Sequence, residues 1–130
     1  MVFYLDTSAA AKLVVAEPAS EAMALWAATH ETQVIASDFL RTELLRATRR
    51  AAPDRMQRAR SVLDALTLFN LTAATFERAA TLDPEELRSL GALHLAAALE
   101  LGDELDGIVT YDNRMAAAAS QYGVAVIAPT

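Results

Sequence analysis

The chain contains no cysteine, which excludes disulfides, thiolate metal sites and cysteine nucleophiles. Its four glycines are scattered, at Gly91, Gly102, Gly107 and Gly123, so there is no glycine-rich phosphate loop. Aromatic residues make up 6% of the chain, which provides no evident base-stacking platform. No apolar run approaches the roughly 18 residues a membrane span needs. The N-terminus has no basic segment ahead of its short apolar run, so it does not read as a secretory signal. No membrane attachment is expected, and a cytoplasmic protein is the default reading. Basic residues are also scarce, 11 against 17 acids for a net charge of −6. That balance disfavours a protein that coats nucleic acid by bulk electrostatics.

What is present is apolar. Of 130 residues, 54% are hydrophobic, which suits one packed domain over residues 1–130 and argues against disorder. Charge is unevenly placed. Seven arginines fall in a single stretch, at Arg41, Arg46, Arg49, Arg50, Arg55, Arg58 and Arg60. Acids gather later, at Glu100, Asp103, Glu104, Asp106 and Asp112. The pattern suggests a basic face on an acidic protein; its plain alternative is two solvated helical surfaces.

Short apolar runs alternate with helical patterns. Val2–Leu5, Gln33–Ala36, Leu68–Leu71, Ile108–Tyr111 and Val124–Ala128 read as strands. Helices are expected from Thr7 or Ser8 to about Val15 before Pro18, over Ser20–His30, and from a cap at Ser37. Others follow over Asp54–Leu66, over Thr72–Leu82, from a cap at Ser89 to Gly102, and over Asp112–Gln121 with Gly123 closing the last. No internal repeat, low-complexity tract or linker interrupts them. The alternation predicts a single three-layer α/β domain, its mostly parallel central sheet flanked by helices.

In open α/β sheets ligands bind at the carboxyl ends of the strands. Asp6 and Asp112 each follow an expected strand, and both strands read as interior, so their carboxylates can meet at one edge. Glu43 lies on the helix near Ser37, among Phe39, Leu40, Leu44 and Leu45, at the border of its buried face. Gathered carboxylates repel one another and resist desolvation. A divalent cation relieves both, and all-oxygen ligands favour Mg²⁺, with Mn²⁺ as the alternative. Such an ion activates water against a phosphodiester. Structural alternatives exist for each acid: Asp6 and Asp112 as helix caps, Glu43 as an exposed residue or a partner of Arg46 or Arg50. Ser8 stands where an aspartyl phosphatase wants a second aspartate, and it has no obvious histidine partner. His94, in a strongly apolar helix, reads as a packed or locally bonded histidine, and His30 as a helix-end residue.

The segments Tyr4-Leu5-Asp6-Thr7-Ser8-Ala9, Ser37-Asp38-Phe39-Leu40-Arg41-Thr42-Glu43-Leu44, Leu87-Arg88-Ser89-Leu90-Gly91-Ala92-Leu93-His94-Leu95-Ala96-Ala97-Ala98 and Val109-Thr110-Tyr111-Asp112-Asn113-Arg114-Met115 resemble, in order, the four motifs of PIN domains. The likeness is strongest to VapC toxins of bacterial toxin–antitoxin pairs. The ending Gly123-Val124-Ala125-Val126-Ile127-Ala128-Pro129 also fits, so the resemblance spans nearly the whole chain. It implies a metal-dependent endoribonuclease that cuts RNA with Mg²⁺ or Mn²⁺. Its partner would be a small VapB-like antitoxin, and it would form a homodimer. It also implies Asp6, Glu43 and Asp112 as metal-site acids, with Thr7, Ser8 and Thr110 as hydroxyl supports and Asn113 and Arg114 near the phosphate path.

Gly91 departs from the pattern, which has aspartate there. A glycine in a first helical turn gives no carboxylate where acids are favoured and weakens the helix by up to roughly 1 kcal/mol relative to alanine. Fewer carboxylates hold a cation less well, so weak metal binding is expected. The alternative function is a catalytically inactive PIN-like protein that acts by binding antitoxin or nucleic acid. A small-molecule hydrolase using the same acids would need a deep apolar pocket.

Overall fold

Tyr4 and Leu5 are neighbours in the first strand, yet both are fully buried, in different cores. Successive strand residues point to opposite faces, so a strand with no exposed face must lie inside the molecule. The computed structural model describes residues 1–130 and has five strands and seven α-helices. The strands are β1 (Val2–Leu5), β2 (Val34–Ser37), β3 (Thr67–Phe69), β4 (Leu105–Val109) and β5 (Val126–Ile127). They form one sheet in the order β3-β2-β1-β4-β5, and every pairing is parallel. The expected three-layer α/β architecture is therefore present, with a sheet that is parallel throughout.

The helices are α1 (Thr7–Lys12), α2 (Ser20–Thr29), α3 (Leu40–Ala51), α4 (Met56–Ala65), α5 (Ala73–Ala80), α6 (Ser89–Leu99) and α7 (Asn113–Gln121). Leu5, Val34, Ala36 and Val109 of the sheet join Ala9, Met23, Leu40, Leu44 and Leu63 of α1–α4 in a core of 13 buried residues. Tyr4 and Ile108 join Leu95, Met115 and Ala118 of α6 and α7 in a core of eight on the other face. The first core is the larger of the two. Burial of this kind contributes on the order of 25 cal/mol per Å² of apolar surface.

Several element ends differ from the sequence reading. Asp6, rather than Thr7 or Ser8, caps α1: its side chain accepts from the Ala9 N–H. That helix ends at Lys12, well before Pro18, and Arg58 Nε donates to the Leu13 carbonyl at 3.1 Å. Ser37 is the buried last residue of β2 and does not cap α3, whose first flanking residue is Phe39. Ser89 lies inside α6, and Arg88 flanks the helix with no side-chain cap. A 3-10 turn, Pro53–Arg55, precedes α4. β4 ends at Val109, so Asp112 stands beyond a short loop. β3 covers only Thr67–Phe69, and β5 only Val126–Ile127.

Two glycines have geometric reasons. A side chain at Gly107 would strike Ile127 Cδ1 and approach the Ala125 carbonyl oxygen to 3.0 Å, because β5 passes directly alongside. Gly123 follows α7 at φ +73°, the left-handed conformation that favours glycine after a helix.

Candidate active site

β1 lies between β2 and β4. From β1 the chain winds outward to β2 and β3, then returns to β4 on the other side. The carboxyl ends of β1 and β4 therefore flank the point where the strand order reverses, the usual place for a ligand in such sheets. The residue after β1 is Asp6, and the residue after β4 is Thr110.

Asp6 is a buried carboxylate, 4% exposed. Its Oδ1 accepts from Ser8 Oγ at 2.7 Å and from the Ala9 N–H at 3.1 Å. Its Oδ2 accepts from Thr110 Oγ1 at 2.5 Å. Both hydroxyls are themselves fixed by the loop after β4, since Ser8 Oγ accepts from the Tyr111 N–H and Thr110 Oγ1 from the Asp112 N–H. Burial pushes the Asp6 carboxyl above its ordinary range, and the bonds from Thr110 and Ser8 only partly oppose that. No lysine or arginine pairs with it.

Asp112 is exposed and caps α7, with Oδ1 accepting from the Arg114 N–H at 2.8 Å and from the Met115 N–H at 3.4 Å. Glu43 reaches in from the first turn of α3. Its Oε1 accepts from Thr7 Oγ1 at 2.6 Å and from His94 Nε2 at 2.7 Å. Burial alone would raise this carboxyl, but the bond to His94, the His94 charge and the Thr7 bond outweigh it and hold Glu43 low.

These three acids line one cleft of about 410 Å³. Thr7, Ser8, Gly91 and Arg114 line it with them, as do Arg88 and His94. Asn113 is exposed at the start of α7 and is not part of its lining. The seven arginines of positions 41–60 are all exposed, and none reaches the cleft. Its arginines are Arg88 and Arg114, from the starts of α6 and α7. The acidic cleft is lined mainly by polar residues and does not provide the deep apolar pocket a small-molecule hydrolase would need. A half-open apolar pocket of about 270 Å³ lies away from the acids, between Met23 and Ala27 on α2 and Val62 and Leu66 near α4.

The donor set is all oxygen, which suits a hard divalent cation. Glu43 Oε2 and Asp112 Oδ2 take no hydrogen bond within the protein. As the side chains stand, no three acids or histidines converge closely enough to enclose an ion. The residues therefore fit such a cation in donor type and charge, with fewer ligands than a closed cage. Gly91, the third residue of α6, faces this gap. A Cβ built there would lie 3.2 Å from Leu87 Cδ1 and 3.8 Å from Met115 Cε, so a side chain needs only a small movement of a flexible leucine end.

Sequence reasoning placed His94 in a packed helix but missed its partners, which lie 51, 87 and 90 residues away in the chain. It also gave Arg88 no role. The available signal was position: Arg88, Gly91 and His94 recur at three-residue spacing, which puts them along one side of α6.

Comparison with known proteins gives a consistent picture. The PIN domain family model matches residues 3–121. Ribonuclease VapC47 of Mycobacterium tuberculosis (strain CDC 1551 / Oshkosh) is 36% identical over 98% of this chain and 97% of its own length. Ribonuclease VapC46 of Mycobacterium tuberculosis (strain ATCC 25618 / H37Rv) is 40% identical over the same shares. Among solved structures, the crystal structure of Mycobacterium tuberculosis VapC20, a Sarcin-Ricin loop cleaving toxin, superposes with a TM-score of 0.77. The likeness covers 98% of this chain and 99% of that one, at 18% identity, and it bears on the fold.

Proposed function

The chain belongs to the PIN domain family, and on that premise we propose that it is a VapC-type endoribonuclease toxin of one domain, weakened by Gly91. The observation that carries this reading is that Asp6, Glu43 and Asp112, from three separate parts of the chain, line one cleft at the strand-order reversal. The finer assignments are Mg²⁺ as the ion, with Mn²⁺ able to replace it, and Asp6, Glu43 and Asp112 as the residues that hold it. The chemistry a divalent cation supplies at such a site is activation of water and neutralisation of charge developing on the phosphodiester.

The protein's own contribution is to keep charges in place. Ser8 and Thr110 hold Asp6 between the ends of β1 and β4. The α7 backbone takes one oxygen of Asp112 and leaves the other free. Arg88 and Arg114 border the acids and draw RNA phosphates to them, and the exposed arginines of α3 and α4 guide the rest of the strand. An RNA substrate sets the site of action in the cytoplasm. The partners are a small antitoxin, which covers the cleft, and a second copy of the chain. No helix is long and apolar enough to cross a membrane.

A second reading, a scaffold that binds antitoxin without cutting, is favoured by two observations. Position 91 has no carboxylate, and no three acids converge. Cleavage of an RNA panel in Mg²⁺ and in Mn²⁺ separates the two. The proteins compared are this chain, Gly91→Asp, and Gly91→Asp carrying Asp6→Asn. The expected result is weak cleavage by this chain, strong cleavage by Gly91→Asp and none once Asp6 is changed. Silence from all three supports the binding scaffold.

A further inference from the structure

α6 is apolar along its buried side except at His94, which is 4% exposed. A histidine buried there needs partners, and both ring nitrogens have them. Nδ1 lies 2.8 Å from Tyr4 Oη, and Tyr4, fully buried, donates to Ser37 Oγ at 3.0 Å. The Phe39 ring packs against the imidazole with centroids 4.5 Å apart. Those contacts would be enough to secure a packed histidine. Nε2 nevertheless reaches to the cleft, 2.7 Å from Glu43 Oε1 and 3.1 Å from Thr7 Oγ1.

The direction of these bonds follows from donor counts. A carboxylate only accepts, so Nε2 carries a hydrogen. Thr7 gives its single hydroxyl hydrogen to Glu43 and can only accept from Nε2. Glu43 Oε1 thus has two donors, from α1 and α6, while Oε2 has none. Fixing one oxygen fixes the plane of the carboxylate and leaves the other oxygen as the free one.

We propose that His94 is a positioning residue that, with Thr7, clamps Oε1 of Glu43 so that Oε2 is held ready for a divalent cation in the cleft. This rests on the nuclease reading above. Ligand-orienting partners of this kind change metal affinity by about 10–100-fold when removed. Here the anchoring runs from Ser37 through Tyr4 and His94 to Glu43, across the ends of β2 and β1, then α6 and α3. The helix that lacks an acid at Gly91 thereby still acts on the site, one turn further on.

The test is Mn²⁺ binding, followed by the electron paramagnetic resonance of the free ion, with thermal unfolding run on each variant. His94→Phe keeps a buried ring and removes both nitrogens; His94→Gln keeps an N–H donor. The expected result is about a 10–100-fold loss of affinity for His94→Phe, largely recovered in His94→Gln. With Glu43→Gln already in place, His94→Phe should add no further loss. Unchanged Mn²⁺ affinity in His94→Phe overturns the proposal, and so does an equal loss in the Glu43→Gln background. Should His94→Phe fail to fold, Tyr4→Phe frees the far edge of the ring and leaves Nε2 intact. A partial loss of affinity then supports the clamp, and no loss overturns it. If the unmodified chain and Gly91→Asp both bind no Mn²⁺ at millimolar concentration, the nuclease reading itself fails, and the role of His94 fails with it.

Discussion

Restoring a carboxylate at position 91 should make stability depend on metal, and the size of the effect follows from the site. In α6, replacing Gly91 by aspartate recovers roughly 0.3 kcal/mol of helix propensity. The third helical position adds about 0.3–1 kcal/mol from the helix dipole. The steric cost is small, because Leu87 Cδ1, 3.2 Å from the new Cβ, is the end of a flexible side chain. Opposing these gains, the new charge faces Asp6, Glu43 and Asp112 across the cleft. Two unit charges about 7 Å apart at an effective dielectric constant of about 20 repel by roughly 2 kcal/mol, so repulsion wins when no cation is present. In chelator Gly91→Asp should be about 1 kcal/mol less stable than this chain, a fall in Tm of roughly 3–5 °C.

Metal reverses the order. A ligand at ten times its Kd stabilises by about 1.4 kcal/mol, and at a hundred times by about 2.7 kcal/mol. Calorimetric melting of both chains in chelator and across a Mg²⁺ or Mn²⁺ titration should show the two curves crossing, with Gly91→Asp the more stable at millimolar metal. Equal metal-induced shifts in the two proteins would refute the reasoning. A higher Tm for Gly91→Asp in chelator would show that the acids do not sense one another.

Asp6 and Glu43 should give opposite pH signatures in stability. The folded-state pKa of Asp6 is raised by burial, so ionising it opposes folding; Asp6→Asn should stabilise the protein at pH 7. That advantage should fade on acidification and be gone below the ordinary aspartate value of 3.8. The Glu43 carboxyl is held low, so it contributes stability above its ordinary value of 4.5 that is lost as pH falls through the folded value. Glu43→Gln should therefore destabilise at pH 7 and become neutral in acid, as read by urea unfolding at a series of pH values. Thr110→Val removes the donor to Asp6 Oδ2 and the acceptor for the Asp112 N–H; a loss of about 1–3 kcal/mol is expected in the same experiment. Arg88→Ala and Arg114→Ala should each weaken RNA binding and lower its salt slope by about one contact, as measured by fluorescence anisotropy. An unchanged slope removes that arginine from the phosphate path.

Much of the fold could be read from the sequence, because period-two and helical apolar patterns are local. Val2–Leu5 and the helix carrying Leu40 and Leu44 needed no distant information. Element ends were less legible. Ser37 and Ser89 are good capping residues by type, but tertiary structure uses Ser37 as a buried acceptor for Tyr4 and leaves Ser89 inside α6. β4 starts earlier than expected, because Leu105 and Asp106 are only partly buried and Gly107 is required by β5 rather than by a turn. At the site, the position of Asp6 after a strand was legible. The division of labour among hydroxyls was not, because Thr7 serves Glu43 whereas Ser8 and Thr110 serve Asp6. Those pairings depend on which helix faces meet, and no local pattern encodes that.

The cleft has one stiff wall and one compliant wall. On the Asp6 side, bonds from Ser8 and Thr110 tie the acid to two central strands. On the other side stands the first turn of α6, which has no side-chain cap, a glycine as its third residue and Leu90 half exposed. Its one buried residue, Ala92, belongs to a small cluster with Ala79 and Ala96. Local opening begins where buried contacts are few, so this turn frays first, while His94, a turn deeper, stays fixed. Anything that enters the cleft meets Leu87 and Leu90 on this loosely held side and Asp6 on the tied side. The yielding wall is the one that carries Gly91, and the stiff wall the one that carries Asp6.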